Sequence, residues 1–248
     1  MKTTQLALCI TFSLYAASGV ATTATVSRDA SEVAASVSHP TVAAPDTGFA
    51  FTQSASNTIT GGNSVSCNSG APNFYHLENG YFRRFDLDGN FAATGLVNVT
   101  SVDFGVQKAL APSGSQTVTV KLYAVDNNSP NIWNVNIGSP LATATISVPN
   151  QSLSIVHVPI STYINSRQSD LVVEIFTPDG IGPKNSFLIG SNAEPSINPA
   201  EASSYLRAAG CGITDATTIS SLTFPDVNIV MTVNAASLPV MLQKFSVD

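Results

Sequence analysis

Residues 170–191 read DLVVEIFTPDGIGPKNSFLIGS, and we predict that the fold is organised around this stretch. Its first half alternates two sets of side chains with the two-residue period of a β-strand, namely Leu171, Val173 and Ile175 against Val172, Glu174 and Phe176. Pro178-Asp179-Gly180 has turn composition, because proline presets φ and glycine permits a positive φ. A second apolar run at 187–189 completes a predicted strand pair. Such a pair buries its apolar face only if other strands supply an opposing sheet.

The rest of the chain supplies further strands separated by turns, and no long segment has a helical period. The other predicted strands lie at 81–87, 97–106, 116–125, 141–148, 153–160 and 228–234. In the second of these runs the apolar set changes side, which predicts a bulge near Ser101. The fourth and fifth runs predict a hairpin about Pro149, whereas 192–215 is predicted to be a long irregular stretch.

Short strands with turns between them predict an all-β fold, an antiparallel two-sheet β-sandwich that is jelly-roll-like. We assign residues 48–235 to this domain, a length within the usual range for one domain. Residues 22–47 contain few large apolar groups and two prolines, which predicts a flexible linker. Residues 236–248 form a C-terminal tail that is a candidate for one added strand.

The charge content limits the classes of partner. Charged residues make up 10% of the chain and the net charge is −6, whereas an average soluble domain is about 25% charged. Nucleic-acid binding relies on Lys and Arg that neutralise phosphates, and Arg83-Arg84 is the only adjacent basic pair. The sequence therefore predicts no nucleic-acid partner. Because Arg83 shares a strand face with Phe85, we expect it at the sheet margin or paired with a carboxylate.

The first 21 residues have the pattern of a secretory signal peptide. Lys2 gives a positive start, residues 6–17 are apolar, and small residues follow at 19–21. The apolar run is too short for a stable membrane span, which needs about 20 residues. We therefore predict a secreted protein, located outside the cell or in the cell envelope.

The cysteine count indicates one disulfide. Cys9 lies within the signal peptide and is expected to leave with it, so the mature chain keeps Cys67 and Cys211. Exported chains with an even number of cysteines favour disulfides. We predict a Cys67–Cys211 bridge that ties the front of the domain to its back, with two free thiols as the alternative.

Catalytic motifs are absent from the sequence. There is no Gly-x-Ser-x-Gly, His-Glu-x-x-His or Cys-x-x-Cys, and His39, His76 and His157 lie in no recognisable triad context. A Ser/His/Asp site assembled from distant residues stays open. Glu174 lies opposite the apolar face of its strand, where we expect a solvated carboxylate, with a groove of glycosidase type as the alternative.

Calcium is the one cofactor for which the sequence offers ligands, because it takes carboxylate and amide oxygens. Two loops provide such groups, one with Asp86, Asp88 and Asn90, the other with Asp126, Asn127 and Asn128. The first loop has Phe91 and Val97 where a helix-loop-helix calcium loop needs glycine and glutamate. The alternative is that these side chains cap their own turns.

Aromatic side chains suggest a sugar-binding surface, because their flat rings stack on the apolar faces of sugars. The candidate ligand-binding residues are Trp133, Tyr123 and Tyr81, with Tyr75 as a further ring. The alternative is that these rings pack in the core or at its edge.

Three segments, at 81–87, 171–180 and 224–231, together resemble a β-sandwich accessory module of bacterial exported proteins, found alone or beside secreted peptidases. The resemblance covers residues 48–235 and implies an accessory, adhesive or surface role without catalytic residues. The run at 238–245 is similar to the start of a C-terminal sorting region in gliding bacteria, but the sequence stops at Asp248.

The function that follows is that of an exported, non-enzymatic β-sandwich with a surface, adhesive or ligand-binding role. Its expected partner is a surface glycan or protein. The alternative is a secreted hydrolase, peptidase- or glycosidase-like, whose site the sequence does not reveal. Sequons lie at Asn98, Asn127 and Asn150 and are acceptors only in a host that glycosylates.

Overall fold

The structure is a computed structural model that describes residues 24–28, 48–129, 139–194 and 203–236. Within these ranges the regular structure consists of β-strands and two short 3-10 helices, Ala209–Cys211 and Ile219–Leu222. The predicted signal peptide, most of the predicted linker, Trp133 and residues 237–248 of the tail lie outside the described residues.

The strands are numbered in chain order. They are β1 (Thr25–Ser27), β2 (Phe49–Thr52), β3 (Ser66–Asn68), β4 (Asn79–Phe85), β5 (Leu96–Leu110), β6 (Ser115–Asp126), β7 (Ala142–Pro149), β8 (Gln151–Asn165), β9 (Ser169–Thr177), β10 (Ser186–Ile189), β11 (Ser191–Asn192), β12 (Tyr205–Ala208), β13 (Ile213–Thr218), β14 (Asn228–Ile229) and β15 (Met231–Ala236). All pairings between them are antiparallel.

The larger sheet has six strands in the order β13-β12-β4-β9-β6-β7. The organising stretch enters it as β9, which pairs with β4 on one side and with β6 on the other. In β6 the predicted alternation is confirmed, because Val118, Val120 and Leu122 are fully buried on one face. The sheet therefore has an inner face in the core and an outer face opposite to it.

The second sheet has five strands built around β5. Strand β8 pairs along nearly the whole of β5, while β10 and then β15 pair along its other edge, and β2 follows β15. The register of β5 with β8 shifts between Val99 and Ser101, which confirms the predicted bulge. His157 lies on the exposed side of β8, opposite the buried Val158.

Two glycines let β10 and β15 share one edge of β5. The amide of Gly190 donates to the Gly105 carbonyl at 2.6 Å, and the Gly105 amide donates to the Val230 carbonyl at 2.9 Å. A Cβ atom on Gly190 would lie 2.5 Å from the carbonyl carbon of Gly105. Only glycine allows so close an approach of two backbones.

One hydrophobic cluster joins both sheets. It includes Val120 and Val173 from the six-stranded sheet and Phe104 and Val158 from the five-stranded sheet, all fully buried. The all-β class with antiparallel sheets is thus confirmed, and the arrangement is compatible with a β-sandwich. The jelly-roll topology stays a prediction.

Two predicted strand pairs are wrong in the same way. The halves of residues 170–191 do not pair, because β9 lies in the six-stranded sheet and β10 in the five-stranded sheet. The predicted hairpin about Pro149 is instead a crossing of the chain from the six-stranded sheet to the five-stranded sheet, since β7 pairs with β6 and β8 pairs with β5. At that crossing the side chain of Asn150 accepts from the Ala111 amide at 2.8 Å and donates to the Ala111 carbonyl at 3.0 Å.

The predicted irregular stretch 192–215 contains more order than expected. Strand β12 pairs with β4 and with β13, and Leu206 is fully buried. Residues 195–202 lie outside the described residues.

Arg83 is also placed differently from the prediction, because it lies in the interior rather than at the sheet margin. The side chain is fully buried and Nη1 donates to the Ile229 carbonyl oxygen at 2.5 Å. Desolvation by burial lowers its pKa to about 10. A backbone carbonyl thus takes the hydrogen bond that we expected a carboxylate to take.

The predicted linker includes a docked strand. Strand β1 pairs with β3, where Val26 lies opposite Cys67. Arg28 forms an ion pair with Asp226 and stacks on the Phe224 ring at 5.5 Å from its centroid. Residues 24–28 therefore cover the strand that carries Cys67.

Candidate functional site

The outer face of the six-stranded sheet carries a charged group at its centre. Glu174 on β9 lies in register with Phe82 on β4 and with Lys121 on β6. Because β9 is an inner strand, side chains from both neighbouring strands can reach this carboxylate. Its side chain is fully buried, which overturns the prediction of a solvated strand face.

Three side chains bind the Glu174 carboxylate. Lys121 Nζ donates to Oε2 at 3.2 Å, and Arg207 Nη2 donates to Oε1 at 2.7 Å. The Tyr123 hydroxyl donates to Oε2 at 2.6 Å. We call Lys121, Tyr123, Glu174 and Arg207 the cationic cluster, because two positive groups share one negative group.

Gly80 makes room for this arrangement. It lies opposite Arg207 on β12 and opposite Phe176 on β9. A Cβ atom at this position would lie 2.8 Å from Glu174 Oε1. The lack of a side chain on Gly80 therefore leaves space for the carboxylate.

Aromatic rings support both cations. Lys121 Nζ lies 4.4 Å from the centroid of the Phe176 ring, and Arg207 Cζ lies 5.3 Å from the centroid of the Phe82 ring. Cations are attracted to the negative face of an aromatic ring. The side chains of Lys121 and Arg207 stay 23% and 31% exposed, so both are partly accessible to solvent.

Tyr123 is buried, with 7% of its surface exposed. Burial raises its pKa, and the hydrogen bond to Glu174 raises it further. The phenol therefore stays protonated at neutral pH and stays a donor to the carboxylate. Tyr123 was predicted as a ligand-binding ring, but its role in the structure is to hold Glu174.

Tyr81 is fully buried on the inner face of β4, where its hydroxyl donates to the Val65 carbonyl at 3.2 Å. Burial raises its pKa. The prediction of Tyr81 as a surface ring for sugar stacking is therefore wrong, because strict alternation in β4 places it in the core. Trp133, the third predicted ring, lies outside the described residues.

The predicted calcium ligands act as turn caps. Asp86 Oδ1 accepts from the Gly89 amide at 2.8 Å, and Asp126 Oδ1 accepts from the Asn128 amide at 2.8 Å. Asp88 and Asn90 complete the same turn as Asp86. Among the described residues there is no group of three or more His, Cys, Asp or Glu side chains suited to a metal ion.

The two predicted calcium loops do approach each other at Asp170. Burial raises the pKa of Asp170, the nearby charges of Asp86 and Asp126 raise it further, and Arg84 opposes the shift. Arg84 Nε donates to Asp170 Oδ2 at 2.6 Å, and Nη1 donates to the Ser129 carbonyl at 2.7 Å. A guanidinium therefore occupies the centre of this acidic group.

A second polar group lies on the outer face of the five-stranded sheet. His157 Nδ1 lies 2.6 Å from Asp103 Oδ1, and the Asn234 amide donates to Asp103 Oδ2 at 2.8 Å. The same amide donates to Ser101 Oγ at 3.0 Å. Histidine and aspartate thus have the mutual orientation of two triad members, while Ser101 contacts Asn234.

His76 has a structural position. It is 2% exposed, and Nδ1–H donates to the Asn185 carbonyl at 3.0 Å. Desolvation by burial lowers its pKa, with smaller opposing effects from carbonyls and from Asp179. His76 therefore holds the loop that connects β9 to β10.

Neither Lys121 nor Arg207 stands out in the sequence as a candidate site residue. Each is a single charge in an alternating strand, which is ordinary on a solvated face. The sequence does show that Lys121 and Glu174 each lie opposite the apolar face of a strand. Only the strand register shows that the two charges meet.

Comparisons of the chain with protein-family models, with curated proteins and with solved structures found no match. In the part of the chain that the structure describes, no helix has the length and apolar character needed to cross a membrane.

Proposed function

We propose that this chain is an exported, non-enzymatic β-sandwich of jelly-roll type that binds a ligand at or outside the cell surface. The signal-like residues 1–21 and the low charge content support export. The resemblance of 81–87, 171–180 and 224–231 to accessory modules of exported proteins supports a surface role. The proposed binding surface is the outer face of the six-stranded sheet.

The observation that carries the proposal is the cationic cluster. A fully buried carboxylate in the middle of a sheet face requires desolvation, which apolar side chains would avoid. Here the carboxylate holds two partly exposed cations side by side. Such fixed, polar groups on a rigid sheet are what a recognition surface needs.

The test is a binding survey with the mature chain on glycan and protein arrays. We expect specific binding that a Lys121→Gln, Glu174→Gln, Arg207→Gln triple variant loses. Arg167→Gln is the matched control, because Arg167 is exposed and both changes lower the net charge by one unit. Binding to no glycan and no protein would contradict the proposed function.

A secreted hydrolase is the second candidate, and the contact between His157 and Asp103 favours it. Asp103 orients the imidazole through Nδ1, which leaves Nε2 for a substrate or nucleophile. The test compares wild type with His157→Ala, Asp103→Asn and Ser101→Ala on ester, peptide and polysaccharide substrates. Turnover that His157→Ala abolishes would replace the leading proposal, and we expect none above background.

A further inference from the structure

We propose that the cationic cluster and the hydroxyl groups beside it form one binding face for an acidic polysaccharide. The inference rests on the proposed function and names its ligand class. The hydroxyl groups belong to β6 and β7, and we call them the hydroxyl strip: Ser115, Thr117, Thr119, Thr143, Thr145 and Ser147. Within the strip Thr119 and Thr145 hydroxyls lie 3.1 Å apart, and those of Ser115 and Ser147 lie 2.9 Å apart.

The charge of the cluster selects an anionic group. Lys121 and Arg207 share the single carboxylate of Glu174, which leaves one uncompensated positive charge on a chain of net charge −6. Among the described residues the side-chain hydrogen bonds of both cations go to Glu174 alone. Because both side chains are partly exposed, their remaining N–H donors can take a carboxylate or sulfate group.

The cations are held in place before a ligand arrives. Glu174 fixes each of them through a different oxygen, and the rings of Phe176 and Phe82 support them from below. Long cationic side chains lose conformational freedom when they bind, and the hydrogen bonds to Glu174 already restrict both of them. The arrangement therefore favours binding over a freely rotating surface lysine.

The hydroxyl strip supplies the contacts that a sugar chain needs. Thr119 lies opposite Phe176, and Lys121 lies opposite Thr143, so the strip begins directly beside the cluster. Thr143, Thr145 and Ser147 are exposed. Hydroxyl groups both donate and accept hydrogen bonds, as the hydroxyls of a sugar do.

The surface spans several strands of the sheet. From β12 through β4, β9 and β6 to β7 it crosses five strands, which lie about 4.8 Å apart. Between Arg207 and Lys121 the outer-face residues Gly80, Phe82 and Glu174 are buried, so a polymer along this face would contact the two cations and the hydroxyl strip. Stacking of neutral sugars is disfavoured, because Arg207 covers Phe82, Lys121 covers Phe176 and Tyr81 is buried.

The experiment measures binding of the mature chain to polygalacturonate, with neutral dextran and poly-glutamate as comparison polymers. We expect binding to polygalacturonate that weakens at high salt and no binding to dextran. The Lys121→Gln, Glu174→Gln, Arg207→Gln triple variant should weaken it about tenfold or more, because two charge-assisted contacts are lost. Arg167→Gln, which changes the net charge equally, should leave it unchanged.

A second variant tests the hydroxyl strip without touching the cluster. Thr119→Val with Thr145→Val keeps the side-chain shape and removes two hydroxyls, and should weaken polygalacturonate binding by about threefold to tenfold. Equal binding of poly-glutamate, with no effect of the threonine changes, would overturn the inference in favour of an acidic peptide.

The remaining outcomes separate this inference from the proposed function. Failure of wild type to bind polygalacturonate, or an equal loss with Arg167→Gln, overturns the acidic-polysaccharide inference. Binding of another array ligand at the cluster would in that case leave the proposed function standing. Absence of any array ligand removes both.

Discussion

Glu174 shows at the residue scale how a buried charge depends on its partners. If Lys121 and Arg207 are both changed to Gln, the carboxylate keeps only Tyr123 among its described partners. We expect the free energy of unfolding to fall by about 1–3 kcal/mol, a range that allows for the partial exposure of both cations. Adding Glu174→Gln removes the charge that needs compensation and should recover much of that loss. Urea unfolding measures the free energy of unfolding of both variants. Equal stability of the double and the triple variant would contradict this prediction.

His76 makes a pH-dependent contribution to stability. Burial lowers its pKa in the folded chain below the ordinary value of 6.5. Between these two values the unfolded chain binds more protons, so stability falls as pH drops from 6.5 toward the folded pKa. We therefore expect Tm to fall on going from pH ~7.5 to pH ~5.5, and to fall less in a His76→Phe variant. Thermal melts at several pH values measure this, and parallel curves for the two proteins would exclude it.

At the scale of elements, the Gly105–Gly190 contact decides whether β10 and β15 can follow each other along β5. Gly190→Ala places a Cβ atom 2.5 Å from a backbone carbon that a side-chain movement cannot relieve. We expect a loss of about 1–3 kcal/mol in the free energy of unfolding. Gly182→Ala is the control, because nothing lies within 4 Å of its Cβ position. Chemical unfolding of both variants tests the prediction, and it is wrong if their stabilities are equal.

At the scale of the whole molecule, the predicted bridge between Cys67 and Cys211 is present, with 5.9 Å between the Cα atoms. It links β3 to the 3-10 helix between β12 and β13, at the edge of the six-stranded sheet. Changing both cysteines to Ser should lower the free energy of unfolding by about 2–5 kcal/mol, since the bridge closes a long loop. Hydrogen exchange should show the change first in β12 and β13. Uniform loosening of both sheets would contradict that local role.

Calcium binding is a second property of the whole molecule. Asp86 and Asp126 cap their own turns, and Arg84 lies between their loops. We therefore expect the fold to be independent of calcium. A chelator should leave Tm nearly unchanged, and a fall of more than a few degrees would point to Asp86 and Asp126 as the first residues to mutate.

The sequence by itself indicated the long strands and, in β6, which side chains face the core, but it did not indicate β12 and β13. Val118, Val120 and Leu122 show this, because a two-residue period is a local property of the chain. The same period predicted the bulge near Ser101. The disulfide followed from the signal-like start and the cysteine count, without knowledge of the fold.

Only the tertiary structure decided which strands are neighbours. Alternation states the face of a side chain but not its partner strand, and a turn such as Pro149-Asn150 suits a hairpin and a crossing equally. The cationic cluster depends on this choice, because Glu174 meets a lysine 53 residues and an arginine 33 residues away in sequence. Contacts at such separations arise from sheet register, and therefore the site exists only in the folded chain.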